Sequence, residues 1–108
     1  MKDFARRQCS PLPEGTTPLS ESEVRALLTR FNGWSLQGGA IAKTFAFANY
    51  HRTQAFVNAL AWIAHEQDHH PELSVSYGQC RVAFNTHSIG GISENDFICA
   101  ARIEALFD

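Results

Sequence analysis

The sequence predicts an α+β domain in which an α-β-β-α-β-β-α chain forms a four-stranded, mainly antiparallel sheet with three helices packed on one face. Three observations carry this. Two pairs of short alternating runs are each joined by a glycine-containing turn, which reads as two hairpins. One long amphipathic segment lies between the pairs. Capping boxes open the first and last helical stretches. Two hairpins linked by a helix can bury one apolar sheet face under helices and leave the other to water.

The elements follow in order. Residues 1–18 contain Pro11, Pro13, Gly15 and Pro18, which break any periodicity, so a flexible N-terminal arm is expected before a domain over 19–108. Ser20 and Glu23 make a capping box, Leu19 and Val24 a hydrophobic staple, and Val24, Leu27, Leu28 and Phe31 share a helical face. Asn32-Gly33 stops that helix. Trp34–Leu36 and Ile41–Phe47 read as strands around Gly38-Gly39, with Ile41, Phe45 and Phe47 on one face and Lys43 the exception among them. Asn49 caps a second helix whose stripe is Phe56, Leu60, Ile63 and Ala64. Pro71 disfavours helical backbone at His70, so that helix ends near Asp68 or His69. Leu73, Val75 and Tyr77 alternate, Gly78-Gln79 turns, and Cys80, Val82 and Phe84 alternate again. Ser93 with Asp96 caps a third helix running to Phe107.

Composition narrows the function. The chain has 108 residues, 44% of them apolar and 11% aromatic, enough for one core. A net charge of −2 and the lack of a basic run argue against a nucleic-acid partner. No apolar run would span a bilayer. Three widely spaced cysteines, Cys9, Cys80 and Cys99, fit neither a disulfide framework nor a CxxC metal site, and point to a reducing cytoplasm.

Four of the five histidines fall between positions 65 and 87. Clustered imidazoles suggest proton transfer or metal binding. His65-Glu66-Gln67-Asp68-His69 matches H-E-x-x-H, which would place two zinc-binding imidazoles one helical turn apart with Glu66 as general base. The longer form of that motif needs Gly at 72 and His at 75, where Glu72 and Val75 stand, so no metal is expected.

A second pattern begins at Asp68: Asp68-His69-His70-Pro71-Glu72, then Tyr77, Thr86-His87, and Ser93-Glu94-x-Asp96. This set resembles the pterin-4a-carbinolamine dehydratases, whose His-His-Pro, aromatic, His and Asp signature is met in register by His69-His70-Pro71, Tyr77, His87 and Asp96. The resemblance runs from Leu19 through Phe45-x-Phe47-x-Asn49-Tyr50 to the end of the chain. It implies loss of water from a 4a-hydroxytetrahydropterin to give the quinonoid dihydropterin, with aromatic amino acid hydroxylases as metabolic partners. The leaving hydroxyl wants a proton while a ring nitrogen gives one up, work that imidazoles perform at neutral pH for about 10²–10⁴-fold each. Nothing is oxidised overall, so the resemblance implies no cofactor. It makes His69 and His87 the general acids and His70 the principal pterin-binding residue with some base character. Asp68 would orient an imidazole or bind the pyrimidinone edge. Asp96 would contribute to the pterin site or hold His87 or a loop. Many relatives have Glu where this chain has His65, whose role stays open. The same resemblance offers an alternative, a non-catalytic dimerisation or regulatory module, which would not need the histidines.

The third helix carries Phe97, Ile98, Cys99, Ala100, Ala101, Ile103, Ala105, Leu106 and Phe107, apolar on more than one side. A small domain has few places to bury a second side, so a homodimer or homotetramer is expected, with that helix or a sheet edge at the interface. The other solution is that the N-terminal arm folds back over it.

Overall fold

The computed structural model describes residues 1–108. Its helices are α1 (Lys2–Ala5), α2 (Glu21–Leu28), α3 (Tyr50–Gln67) and α4 (Glu94–Glu104); its strands are β1 (Ser35–Gln37), β2 (Ala40–Ala46), β3 (Glu72–Val75) and β4 (Gln79–Phe84). The sheet is antiparallel throughout, in the order β1-β2-β4-β3. The α+β architecture and the sequence of elements are as the hairpin and helix signals predict, with α1 added in front.

Local chemistry sets the boundaries. Ser20 and Glu23 exchange the two bonds of a capping box at α2. Asn49 Oδ1 accepts from the Arg52 N–H at the start of α3. Gly38 and Gly39 both have positive φ, 55° and 79°, as the tight turn between β1 and β2 requires. The α2 helix ends at Leu28, earlier than Asn32-Gly33 suggests, and a short turn delivers Phe31 into the core. The α4 helix tightens into a 3₁₀ turn over Ala105–Phe107.

Ile41 and Phe45 of β2 and Cys80, Val82 and Phe84 of β4 face the helices and join Val24, Phe31, Phe56, Leu60 and Phe97 in one core. The opposite sheet face carries Thr44, Ala46, Ser74 and Arg81, and is left to solvent. Lys43 sits on the inner face because its ammonium is satisfied there: it donates to Glu104 Oε2 at 2.8 Å and to the Asn32 carbonyl at 3.2 Å. Trp34 Nε1 donates to the same carboxylate at 3.0 Å.

The first ten residues lie against α4. Phe4 is buried against Phe31 and Phe97, with ring centroids 5.7 and 6.2 Å away, and the Arg7 and Arg30 guanidiniums cover it. Arg102 forks onto the Arg7 carbonyl, and Ser10 and Asn95 exchange two hydrogen bonds. This corrects the argument for association through the third helix. Phe97 through Ala101 and Ile103 are buried within one chain, because the N-terminal segment supplies the second covering. Truncation of Phe4 to alanine should therefore cost about 3 kcal/mol, read as a lower urea midpoint. Deleting residues 1–10 should produce new self-association in sedimentation, since it uncovers Phe31 and Phe97.

Candidate functional site: an imidazole backed by a buried carboxylate

The α3 helix stops at Gln67, and Asp68 takes the left-handed conformation, φ 50° and ψ 44°, as its C-terminal cap. Aspartate tolerates that region better than most side chains. The chain then turns out of the helix axis, and the ring of His69 stacks on Phe84 of β4, 5.9 Å between centroids and 8° from parallel. His69 thus lies outside the helix. The H-E-x-x-H spacing does not make a two-histidine claw: His65 stays exposed on α3 beside Trp62, while His69 Nε2 is turned to Asp96.

Asp96 is fully buried in the first turn of α4. Its Oδ1 accepts from His69 Nε2 at 2.5 Å. Its Oδ2 accepts from the Ser93 backbone N–H and from the Thr86 hydroxyl, both at 2.9 Å. Thr86 has one hydroxyl proton, given to the carboxylate, so the 2.6 Å contact between Thr86 and Ser93 has Ser93 donating. Ser93 Oγ in turn accepts from the Asn95 N–H. Every member of the network is satisfied, and it holds the His69 ring in one orientation. His69 Nδ1 makes no bond within the chain and is the ring nitrogen left for a ligand.

Burial opposes the charged form of His69, but the hydrogen bond and charge of Asp96 outweigh it, helped by Cys9 and Asp68, and raise the imidazole above its ordinary value. A raised folded pKa contributes stability that is fully present below about pH 6.5 and is lost as pH climbs through the raised value. The urea midpoint of the protein relative to that of His69→Gln should therefore decline as pH rises from about 5.5 to 9, and a pH-independent difference would contradict the pairing.

A cleft of about 330 Å³ opens beside this pair, with Cys9, Pro11, Asp68, His69, Thr86 and Ser88 among its walls. The expected site residues divide accordingly. Asp68 and His69 line the cleft. His70 and His87 do not, but both are exposed and their side chains make no internal hydrogen bond. The pairing of Glu72 with Ala83 brings both to the same end of the sheet as His69, since His70 shortly precedes β3 and His87 shortly follows β4. Of the roles expected for Asp96, the structure has it holding a loop, the β4–α4 connection, through Thr86 and Ser93. With no exposure and both oxygens committed, it cannot touch a ligand, and its partner is His69 rather than His87. Thr86 and Ser93 were not singled out for this network by the sequence. The capping box marks Ser93 and Asp96, but nothing local marks their contact with His69.

An imidazole backed by a buried carboxylate at the mouth of a cleft has the chemistry to exchange a proton with a bound molecule, here on a small single-sheet α+β domain. The sequence pattern of the family described as Pterin 4 alpha carbinolamine dehydratase matches residues 17–106. The chain belongs to the pterin-4-alpha-carbinolamine dehydratases, a hydro-lyase family. Relatives carrying the family's name include one from Nitrosospira multiformis, 51% identical over 105 residues, 97% of this chain and 93% of its own. Another, from Bdellovibrio bacteriovorus, is 54% identical over 108 residues, covering 96% of this chain and 88% of its own. Among solved structures, a transcriptional coactivator/pterin dehydratase from Brucella melitensis superposes with a TM-score of 0.78 at 33% identity, over 83% of this chain and 98% of its own. A pterin dehydratase-like protein identified as a RuBisCO assembly factor in the alpha-carboxysome gives 0.59 at 31% identity, over 69% and 89%.

Proposed function

We propose that the protein dehydrates 4a-hydroxytetrahydropterins to quinonoid dihydropterins, recycling the cofactor of aromatic amino acid hydroxylases in the cytoplasm. The observation that carries this reading is the His69–Asp96 pair, with His70 and His87 at the same end of the sheet. His69, kept protonated further into neutral pH by Asp96, gives its proton to the leaving 4a-hydroxyl when that group departs on its side of the ring. His87 serves the other face. His70, exposed and unpartnered, binds the pterin and takes up the ring-nitrogen proton. Asp68, exposed on the cleft wall, accepts from the amino-pyrimidinone edge. No oxidant enters, because water is lost and no electron leaves the ring system.

The test is a dehydration assay on chemically generated 4a-hydroxytetrahydropterin. Acceleration that persists in chelator is the expected result; loss of activity with the removal of stoichiometric zinc would overturn it. The RuBisCO assembly neighbour favours a second reading, a non-catalytic module of the same fold. Complete inactivity toward the carbinolamine would select it. Self-association belongs to the same proposal. With Phe97–Ala101 and Ile103 covered, the exposed apolar groups that could serve it include Val75 at the β3 edge, the stacked Tyr50–Tyr77 pair, Trp62 on α3, and Leu106 and Phe107 just after α4. A clean monomer in sedimentation at micromolar concentration would remove that part.

A further inference from the structure

We propose that Cys9 and Cys99 form a peroxide-oxidisable dithiol whose disulfide staples the N-terminal segment to α4. Their sulfurs lie 3.6 Å apart, across ninety residues of sequence. The chain is pinned to the same helix on both sides of Cys9, at Arg7 and at Ser10. The Arg7 carbonyl is held by Arg102, and Ser10 bonds reciprocally with Asn95. Cys9 itself is fixed by its N–H to Gln67 Oε1 at 2.8 Å, and its sulfur reaches the Asn95 carbonyl at 3.5 Å. The segment therefore presents the two thiols to each other already, and a closure of about 1.5 Å completes a disulfide at its usual bond length near 2.05 Å.

The two sulfurs have unequal characters. Cys9 is half-buried and borders the His69 cleft, whereas Cys99 is wholly buried. The Cys99 thiol donates to Cys9, which holds Cys9 below the ordinary cysteine range against its burial, with help from the charge on His69. The same bond, then burial, pushes Cys99 well above that range. Cys9 is thus the accessible nucleophile and Cys99 the resolving thiol.

The chemistry balances with hydrogen peroxide as the oxidant. The Cys9 thiolate attacks one peroxide oxygen; an S–O bond forms, the O–O bond breaks, and the departing oxygen leaves as hydroxide, which takes up the proton that Cys9 released on ionising and becomes water. The Cys99 sulfur then attacks Cys9, forming S–S and expelling the sulfenic oxygen, which leaves with the Cys99 proton as a second water. The dithiol has lost two electrons and the peroxide has gained them.

The proposal does not depend on the reaction catalysed, and its test reads covalent state and stability. The reduced full chain is treated with a few equivalents of hydrogen peroxide and examined by intact mass, peptide mapping without reductant, and thermal melting. The expected result is a loss of about 2 Da, a Cys9–Cys99 linked peptide, Cys80 still alkylatable, reversal by dithiothreitol, and a Tm higher by roughly 10 °C. Cys9→Ser and Cys99→Ser should each abolish the loss of mass; Cys9 is half-buried, so its variant serves even where Cys99→Ser folds poorly. A stable gain of about 16 or 32 Da on Cys9, a link to Cys80 or between chains, three thiols surviving oxidation, or a link with no gain in Tm would each overturn the proposal.

Discussion

Alanine at both His69 and His87 is expected to reduce turnover far more than either single change. Each imidazole alone should be worth about 10²–10³-fold in kcat, because a general acid acts on the leaving hydroxyl only as the C–O bond breaks. The two are not equivalent. Asp96 raises His69, so it enters neutral pH with a larger protonated fraction than an ordinary imidazole. His87 stands exposed at the first position of a 3₁₀ turn with no internal partner. Because each can cover part of the other's work, the single losses understate the pair. His70→Ala should instead raise KM most, since uniform binding is lost when a ground-state contact is removed. A double variant with near-wild-type turnover would show that acid catalysis by these two histidines is wrong. An effect of His70→Ala confined to kcat would reassign His70 from binding to chemistry.

The elements that carry the site were legible because their signals are local. Capping at Ser20, Asn49 and Ser93 and the turn at Gly38-Gly39 follow from short-range backbone chemistry, and the alternation around Val82 from side-chain period. Even the departure of His69 from the helix is foreshadowed by Pro71, two residues on, which biases the backbone of His70. The His69–Asp96 contact spans 27 residues and depends on how α4 is set against the end of α3, which no periodicity encodes. Thr86 stands in the pattern beside His87, but its bond to Asp96 is hidden for the same reason: nothing local marks a threonine after a strand as the partner of a buried carboxylate. Lys43 shows the converse. Its breach of alternation was visible, but its explanation lies in Glu104, on the far side of the core.

The N-terminal segment is the largest difference. Its prolines and glycine rightly deny it regular structure over most of its length, but loss of periodicity says nothing about docking. One aromatic, Phe4, packs onto the touching rings of Phe31 and Phe97, and polar bonds at Arg7 and Ser10 do the rest. The excess apolar surface of α4 was legible; which of two coverings it takes was not, because a second copy and the chain's own end satisfy the same sequence.

Asp96 ties fold and chemistry together, and two substitutions separate its duties. Alanine there leaves the Ser93 N–H, the Thr86 hydroxyl and His69 Nε2 without their buried acceptor. The expected loss is about 3–5 kcal/mol, the range for breaking a buried pair, seen as a large fall in the urea midpoint. Such a variant would lose activity for structural reasons alone. Asparagine distinguishes the two. It keeps the volume, and its amide oxygen can still accept from Ser93 and Thr86, so stability should fall by only about 1–2 kcal/mol. Its NH₂ group then faces His69 Nε2, and a donor can be met there only by a bare nitrogen. The imidazole is forced into the neutral tautomer with its proton on Nδ1, and the charge that raised its pKa is gone. Asp96→Asn should therefore fold, yet lower kcat by about 10²-fold and shift the basic limb of the pH–rate profile to lower pH. A folded Asp96→Asn protein with an unchanged profile would mean that Asp96 only builds the start of α4. The moved limb is what a positioning residue for an acid-catalytic imidazole must show.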